Sequence, residues 1–433
     1  MRLLNRLLSG FAVALGLTAA AAAGAETVVV TADRMVDVLE GRVVEQPVVV
    51  ITDGRIASVV GAGAARPLIP EGARRIDLPG STILPGLIDM HVHLDSSPHY
   101  GPYDSLQFTD LFHAVQAPGH ARELLDAGFT TVRNLGSDRY VDVALMQAID
   151  EGRLRGPRIV PGTYALGATG GHCDETYLPP ELHRPAGGVA DGPQALRSRL
   201  RALRRNGAQV IKVCATGGVF SRNTEPGQQQ LSEEELGAIA EEAHQWGLKV
   251  AAHAHGAAGI RAAIRAGIDT IEHASLIDAE GIRLAREHGS WLVMDIFNTE
   301  YTQAHGRENG ILEDNLRKDR EIAQIQRDNF RAAHRAGVRM AFGSDAGVMP
   351  HGTAAGQFRF MVEYGMTPME AIQTATRNAA QALGREADVG AIAPGRYGDI
   401  VVVDGDPLSD ISELERVDVV IKGGEIVADR RPR

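Results

Sequence analysis

Between residues 84 and 387 the chain repeats one unit: a short apolar, β-branched run followed by a longer stretch of helical character. Eight such runs fall at 87–91, 130–134, 158–162, 209–213, 249–253, 270–273, 291–295 and 339–342. Strands alternating with helices specify a parallel sheet, and eight units in roughly 300 residues predict an α/β fold, a (β/α)8 barrel with inserted loops. In such a barrel all the strands end at one mouth, so chemistry-bearing side chains are sought at their C-terminal ends.

The flanking segments have a different grammar. Residues 26–83 and 388–433 alternate β-branched runs with turn pairs such as Asp53-Gly54 and Gly423-Gly424. They predict one small β-sandwich domain built from both chain ends, leaving 84–387 for the barrel. At the start, Arg2 and Arg6 precede an apolar run from Leu7 to Ala23, and Ala23-Gly24-Ala25 supplies small residues for cleavage. Residues 1–25 therefore read as a signal peptide cut near Ala25, with the mature chain secreted or periplasmic. A retained anchor is the alternative, but the run is short and rich in alanine for a span, so no stable membrane insertion is expected after cleavage. A formal charge of −11 disfavours nucleic acid as a partner. Two cysteines, Cys173 and Cys214, are too few for a disulfide framework or a thiolate metal cluster and read as small core or loop residues. A metal in this chain must then be held by imidazole, carboxylate or an oxygen derived from lysine.

The strand ends carry those groups. His91 and His93 close strand one, and a period of two turns both to the same face. Strand four, Val210-Ile211-Lys212-Val213, is an apolar run broken by one lysine, whose burial as an ammonium is costly without a partner or a pKa shift. His253 and His255 end strand five, His273 ends strand six and Asp345 follows strand eight. One strand-end histidine is common in any barrel, but ligand types at five strand ends indicate a metal centre.

This order of residues, with Leu84-Pro85-Gly86-Leu87-Ile88-Asp89-Met90-His91-Val92-His93 and the segment 390–399, resembles the amidohydrolase superfamily. Tyr397-Gly398 departs from the family's usual small residues, at a place in the β domain. Ile211-Lys212-Val213-Cys214-Ala215-Thr216-Gly217-Gly218 and His253-Ala254-His255-Gly256 are similar to the branch of Xaa-Pro dipeptidases and ochratoxin-hydrolysing amidases. The resemblance implies a binuclear hydrolase that releases a C-terminal amino acid from an acyl group, such as an Xaa-Pro dipeptide, an N-acyl amino acid or an ochratoxin A-type amide. It implies two divalent ions, zinc by preference, bridged by carboxylated Lys212 and by a hydroxide that attacks the amide. His91, His93 and Asp345 would hold the more buried ion and His253 and His273 the outer one, with Asp345 also moving a proton. His172 falls where the branch places a histidine over the substrate, suited to an oxyanion. His255 and Arg222 are further substrate-binding candidates, Arg222 for a carboxylate. The expected partners are a small amide or dipeptide and further copies of the chain in a homo-oligomer. The charged stretch 308–335 reads as a solvated helix, with a lid over the mouth as its alternative. Rival functions are a mononuclear deaminase or cyclic-amide hydrolase, which commonly carries a Glu where this chain has Gly256, and, more remotely, a non-catalytic periplasmic binding protein.

Overall fold

The barrel strands form where the apolar runs predict them, at Leu87–Val92, Phe129–Asn134, Arg158–Pro161, Val210–Cys214, Lys249–Gly256, Thr270–Leu276 and Trp291–Val293. This is a computed structural model, and it describes residues 26–65, 67–109 and 111–431. The proposed signal peptide, 1–25, lies outside the described residues. Strands one, two and four are buried along their whole length, as expected for parallel strands covered on both faces.

The eighth run, 339–342, completes the circle without forming a regular ladder. Met340 bridges to Leu292 on strand seven, and Met90 N donates to Phe342 O at 2.9 Å on strand one. Phe342 N turns instead to Thr374 O, at 3.0 Å, in the helical segment that follows, which removes it from the sheet. Strands seven and eight are joined by Leu292 N to Arg339 O at 2.9 Å and Ala341 N to Leu292 O at 3.0 Å, and strands three and four by Gln209 N to Pro161 O at 2.8 Å, so a few backbone bonds close the barrel at its seams.

Both chain ends do build one β domain. Its hydrogen-bonded order runs Glu425–Asp429, Val419–Lys422, Ile400–Asp404, Arg74–Pro85, Thr27–Asp37, Val48–Thr52 and Arg55–Val60, with Arg42–Glu45 added on Thr27–Asp37. Val28, Val30, Ile51, Leu78, Ile83, Val402 and Ile421 form a core separate from that of the barrel. The chain passes from Arg74–Pro85 through Gly86 straight into strand one. A Cβ at Gly86 would overlap the Thr130 side chain, so only glycine allows this close approach of the two domains.

The stretch expected as a solvated helix is a barrel helix, Glu313–Arg335, with one covered face. Leu316, Ala323, Phe330 and Ala333 are buried along it, and it packs on strand six. Charges dominate its composition because its other face is wet, which hides the apolar stripe from a count of charges. No helix among the described residues is long and apolar enough to cross a membrane.

A buried ion pair crosses the barrel interior. Arg133, on strand two, donates to Met90 O at 2.6 Å, Thr270 Oγ1 at 3.0 Å and Glu272 Oε1 at 2.8 Å. Neither Arg133 nor Glu272 has any exposed surface. Removing one partner strands the other charge out of water, so Arg133→Met should lower stability by about 3–5 kcal/mol, read as a shift in urea unfolding. Arg133→Lys should recover little, because an ammonium cannot reproduce the planar fan of three bonds.

Candidate metal centre

Strand one delivers His91 and His93 to the mouth side by side, their ring centroids 5.3 Å apart. Asp345 reaches them from beyond strand eight, with Oδ1 3.5 Å from His91 Nε2 and 3.3 Å from His93 Nε2. Strand four brings Lys212 Nζ to 3.2 Å from His91 Nε2. His253 and His273 close the ring, with centroids 4.6 Å apart, and His273 lies 5.0 Å from His91. The six side chains expected to act together are therefore gathered in one place. Donor atoms of His91, His93 and Asp345, and those of His253, His255 and His273, form groups within 4.8 Å.

The electrostatics suit metal binding. Burial pushes His91, His253 and His255 well below the ordinary histidine range, and His172 down to about 3, so their rings keep lone pairs free for a cation. Burial also lowers Lys212, to about 8, which brings its neutral amine within reach at mild alkaline pH. His273 differs. Burial opposes its charge, yet Asp295, 2.9 Å from Nδ1, raises its pKa on balance. A cluster of imidazoles facing one another around a lysine and a carboxylate fits divalent ions, and the described residues offer no other ligand set of this size.

Two of the candidate ligand residues sit in backbone conformations that L-residues rarely adopt: His273 has φ 66° and Asp345 φ 58°. Such strain costs of order 1–3 kcal/mol per residue and persists where the surroundings fix it. Asp89 provides part of that fixing. Buried at the foot of strand one, it accepts from His91 N at 3.0 Å, Ser344 N at 3.1 Å and Ser344 Oγ at 2.5 Å, tying strand one to the turn that carries Asp345.

His172 lies over the centre. Its ring stacks on His253 at 4.1 Å, and its Nδ1 is 2.9 Å from Ser221 Oγ. A Cβ at Gly218 would overlap that ring, which gives the glycine pair after strand four its physical purpose. His255 bonds Ser275 Oγ at 2.8 Å and stands 4.7 Å from His273, as near to it as His253 does. Arg222 is exposed and does not line the cavity; its guanidinium donates to Tyr103 OH at 3.1 Å. The cavity above the centre holds about 1290 Å3 and is walled by apolar groups including Tyr100, Phe108, Tyr177, Val219, Phe220 and Tyr301. Asp319, Ile322 and Gln326 of the helix Glu313–Arg335 also line it, and Lys318 of that helix donates to Ser221 O at 2.7 Å. The helix is thus a wall of the cavity.

The cysteines need correction. Cys173 and Cys214, read as separate small residues, form a disulfide. They are 41 residues apart, and they meet because residues after strand three return to pair with strand four, Leu166 bridging to Val213. Sequence reasoning also passed over Asp295, although an acidic residue just beyond strand seven is the signal that singled out Asp345. The Glu272–Arg133 pair was missed as well, and Glu272 Oε2 sits 3.3 Å from His91 Nδ1. Each of these carboxylates faces the Nδ1 edge of a histidine whose opposite edge is turned to the centre.

Residues 82–427 match the model of the amidohydrolase family. An ochratoxinase from Aspergillus niger is 34% identical over 366 residues, covering 79% of this chain and 75% of its own. Among solved structures, a Xaa-Pro dipeptidase with bound methionine in the active site gives a TM-score of 0.87 at 35% identity, covering 93% of this chain and 99% of its own. A prolidase complexed with N-methylphosphonate-L-proline gives 0.85 at 33% identity, covering 93% and 100%.

Asp295 orients His273 through Nδ1 and is itself held by Asn298 Nδ2 at 2.6 Å and Gln326 Nε2 at 3.1 Å. Partners of this kind typically contribute 10- to 100-fold to metal affinity. Asp295→Ala should weaken metal binding by about that factor in competition with a chelator, with little change in the folded content read by circular dichroism.

Proposed function

The chain belongs to the amidohydrolase family, and from that premise we propose that it is a binuclear amidase that frees a C-terminal amino acid from an acyl group. The observation that carries this is Lys212, buried on strand four against His91, with ligand residues arriving from strands one, five, six and eight. A lysine there serves a mononuclear site poorly. As a carbamate Lys212 would offer oxygen ligands to two cations, whose charge would stabilise the anion.

His91, His93 and Asp345 would hold one ion, His253 and His273 the other, and carboxylated Lys212 would lie between. Two divalent ions, zinc foremost for an imidazole-rich set, supply Lewis-acid polarisation of the amide carbonyl and an acidified water. The chain's own groups do the rest. Asp345 accepts a proton and returns it to the leaving amine, which must be protonated to depart. His172, held at Nδ1 by Ser221, presents its other edge to the cavity, where it stabilises the charge developing on the carbonyl oxygen. The apolar wall receives the acyl group or side chain. Ochratoxinase and the dipeptidase and prolidase structures support an amide of an amino acid as substrate.

The deaminase alternative meets an obstacle at Gly256. A Cβ there would overlap the backbone of Gly227, so the position has no room for the glutamate that reading needs. The disulfide supports a secreted or periplasmic location, since such bonds persist in oxidising compartments.

The test is a panel of dipeptides, N-acyl amino acids and ochratoxin A, assayed for released amino acid with zinc and bicarbonate supplied. The wild type should release amino acid and carry about two metal equivalents by elemental analysis. One equivalent at full activity would return the deaminase. Lys212→Ala should lose most turnover, in part restored by short carboxylic acids, whereas Lys212→Arg should not recover because a guanidinium cannot be carboxylated. Asp345→Asn should lose several powers of ten in kcat with much of the metal retained. His172→Ala should keep both ions and lose on the order of 10² to 10³ in kcat; a change in KM alone would make His172 a ground-state contact.

A further inference from the structure

Strand three ends at Pro161, and the next helix, Pro193–Arg205, does not begin for some thirty residues. Connections of that length without helix or strand are mobile unless tied down. This one carries His172, whose ring must stay over the metal centre. Its base is anchored to strand four, with Leu166 N to Lys212 O and Cys214 N to Leu166 O, both at 2.8 Å. Past Gly167 the chain leaves the strand and turns through Thr169-Gly170-Gly171, and His172 is then fixed by two hydrogen bonds, both to residues of another loop: its N to Gln230 Oε1 at 2.8 Å and its Nδ1 to Ser221 Oγ at 2.9 Å. Among the described residues this turn makes no hydrogen bond to a barrel strand: the His172 ring stacks on His253 of strand five, and the residue after His172 is joined covalently to strand four.

We propose that the Cys173–Cys214 disulfide is a positioning device for catalysis, holding His172 in register with the metal centre. Cys214 is 1% exposed and lies two residues from Lys212 on the same strand, so both side chains face the mouth. Both cysteines line the substrate cavity. The bond therefore fixes His172 to the strand that carries Lys212, and two groups the proposed reaction needs share one rigid support. Gly167 belongs to the same device: a Cβ there would stand 2.9 Å from Cys173 Cβ, leaving the disulfide no space. Displacing a catalytic group by about 1 Å costs on the order of 10²-fold in rate, which is ample reason for a covalent tie where hydrogen bonds to a second loop are the alternative.

The proposal rests on the hydrolase reading, and a double-mutant cycle tests it in the metal-loaded mature enzyme with the amide of the panel that the wild type cleaves fastest. Cys173→Ala/Cys214→Ala should lower kcat by tenfold or more with KM and metal content unchanged. Combined with His172→Ala, the cysteine substitutions should add no further loss, because the group they position is gone. Losses that multiply, or a loss of metal in the double cysteine variant, would overturn the proposal by showing that the bond acts elsewhere. If that variant fails to fold, Cys173→Ser, which leaves the buried strand residue in place, runs the same cycle with the same outcomes. Limited proteolysis supplies a readout independent of turnover: without the bond, cutting within residues 168–191 should accelerate at least several-fold, and unchanged cutting overturns the tether. A wild type that cleaves no amide would sink the hydrolase reading, while proteolysis still decides whether the loop is held.

Discussion

A lysine buried among histidines is the constraint around which this barrel is arranged. Lys212 is 3% exposed, and among the described residues the one hydrogen-bond contact of its Nζ is with an imidazole and no carboxylate forms an ion pair with it. As an ammonium it would face a large desolvation cost and the like charge of any cation bound beside it. Burial relieves the first by lowering its pKa, and conversion to a carbamate between two ions would relieve both. The same burial pushes His91, His253 and His255 well below the ordinary histidine range, so one physical cause prepares both the bridging group and three of its companions.

Around that core the protein spends structure on orientation. Asp295 faces Nδ1 of His273, Glu272 faces Nδ1 of His91, and Ser221 faces Nδ1 of His172. Asp295 and Ser221 hydrogen-bond the edge away from the centre, and Glu272 stands 3.3 Å from that edge of His91, leaving the other edge of each ring for the chemistry. The left-handed backbone at His273 and Asp345 is a further cost, sustained by Asp89, by Gln326 bonding His273 O at 3.2 Å, and by close packing at the strand ends. Stability is given up at these points so that donor atoms converge.

Much of this was legible in the sequence because barrel geometry is periodic. Strand parity places His91 with His93 and Lys212 with Cys214, and the C-terminal end of each strand leads to one mouth. The β domain was equally readable, since turn pairs such as Asp53-Gly54 punctuate its strands. What escaped depends on contacts far apart in sequence. The pairing of Leu166 with Val213, which brings Cys173 to Cys214, follows no local pattern. Arg222 sits in a loop whose path is set by Glu313–Arg335, through Lys318 to Ser221 O and Asn315 Nδ2 to Val219 O at 2.5 Å, and that path turns its side chain outward. The helix itself looked solvated because one charged face outweighed its covered stripe.

The most direct measurement is anomalous diffraction at the zinc edge from crystals grown with zinc and bicarbonate. Two peaks should appear, one among His91, His93 and Asp345 and one among His253 and His273, each about 2.0–2.2 Å from its donor atoms. Density for a carboxylate should extend from Lys212 Nζ between them. A single peak beside an unmodified Lys212 would contradict the binuclear account.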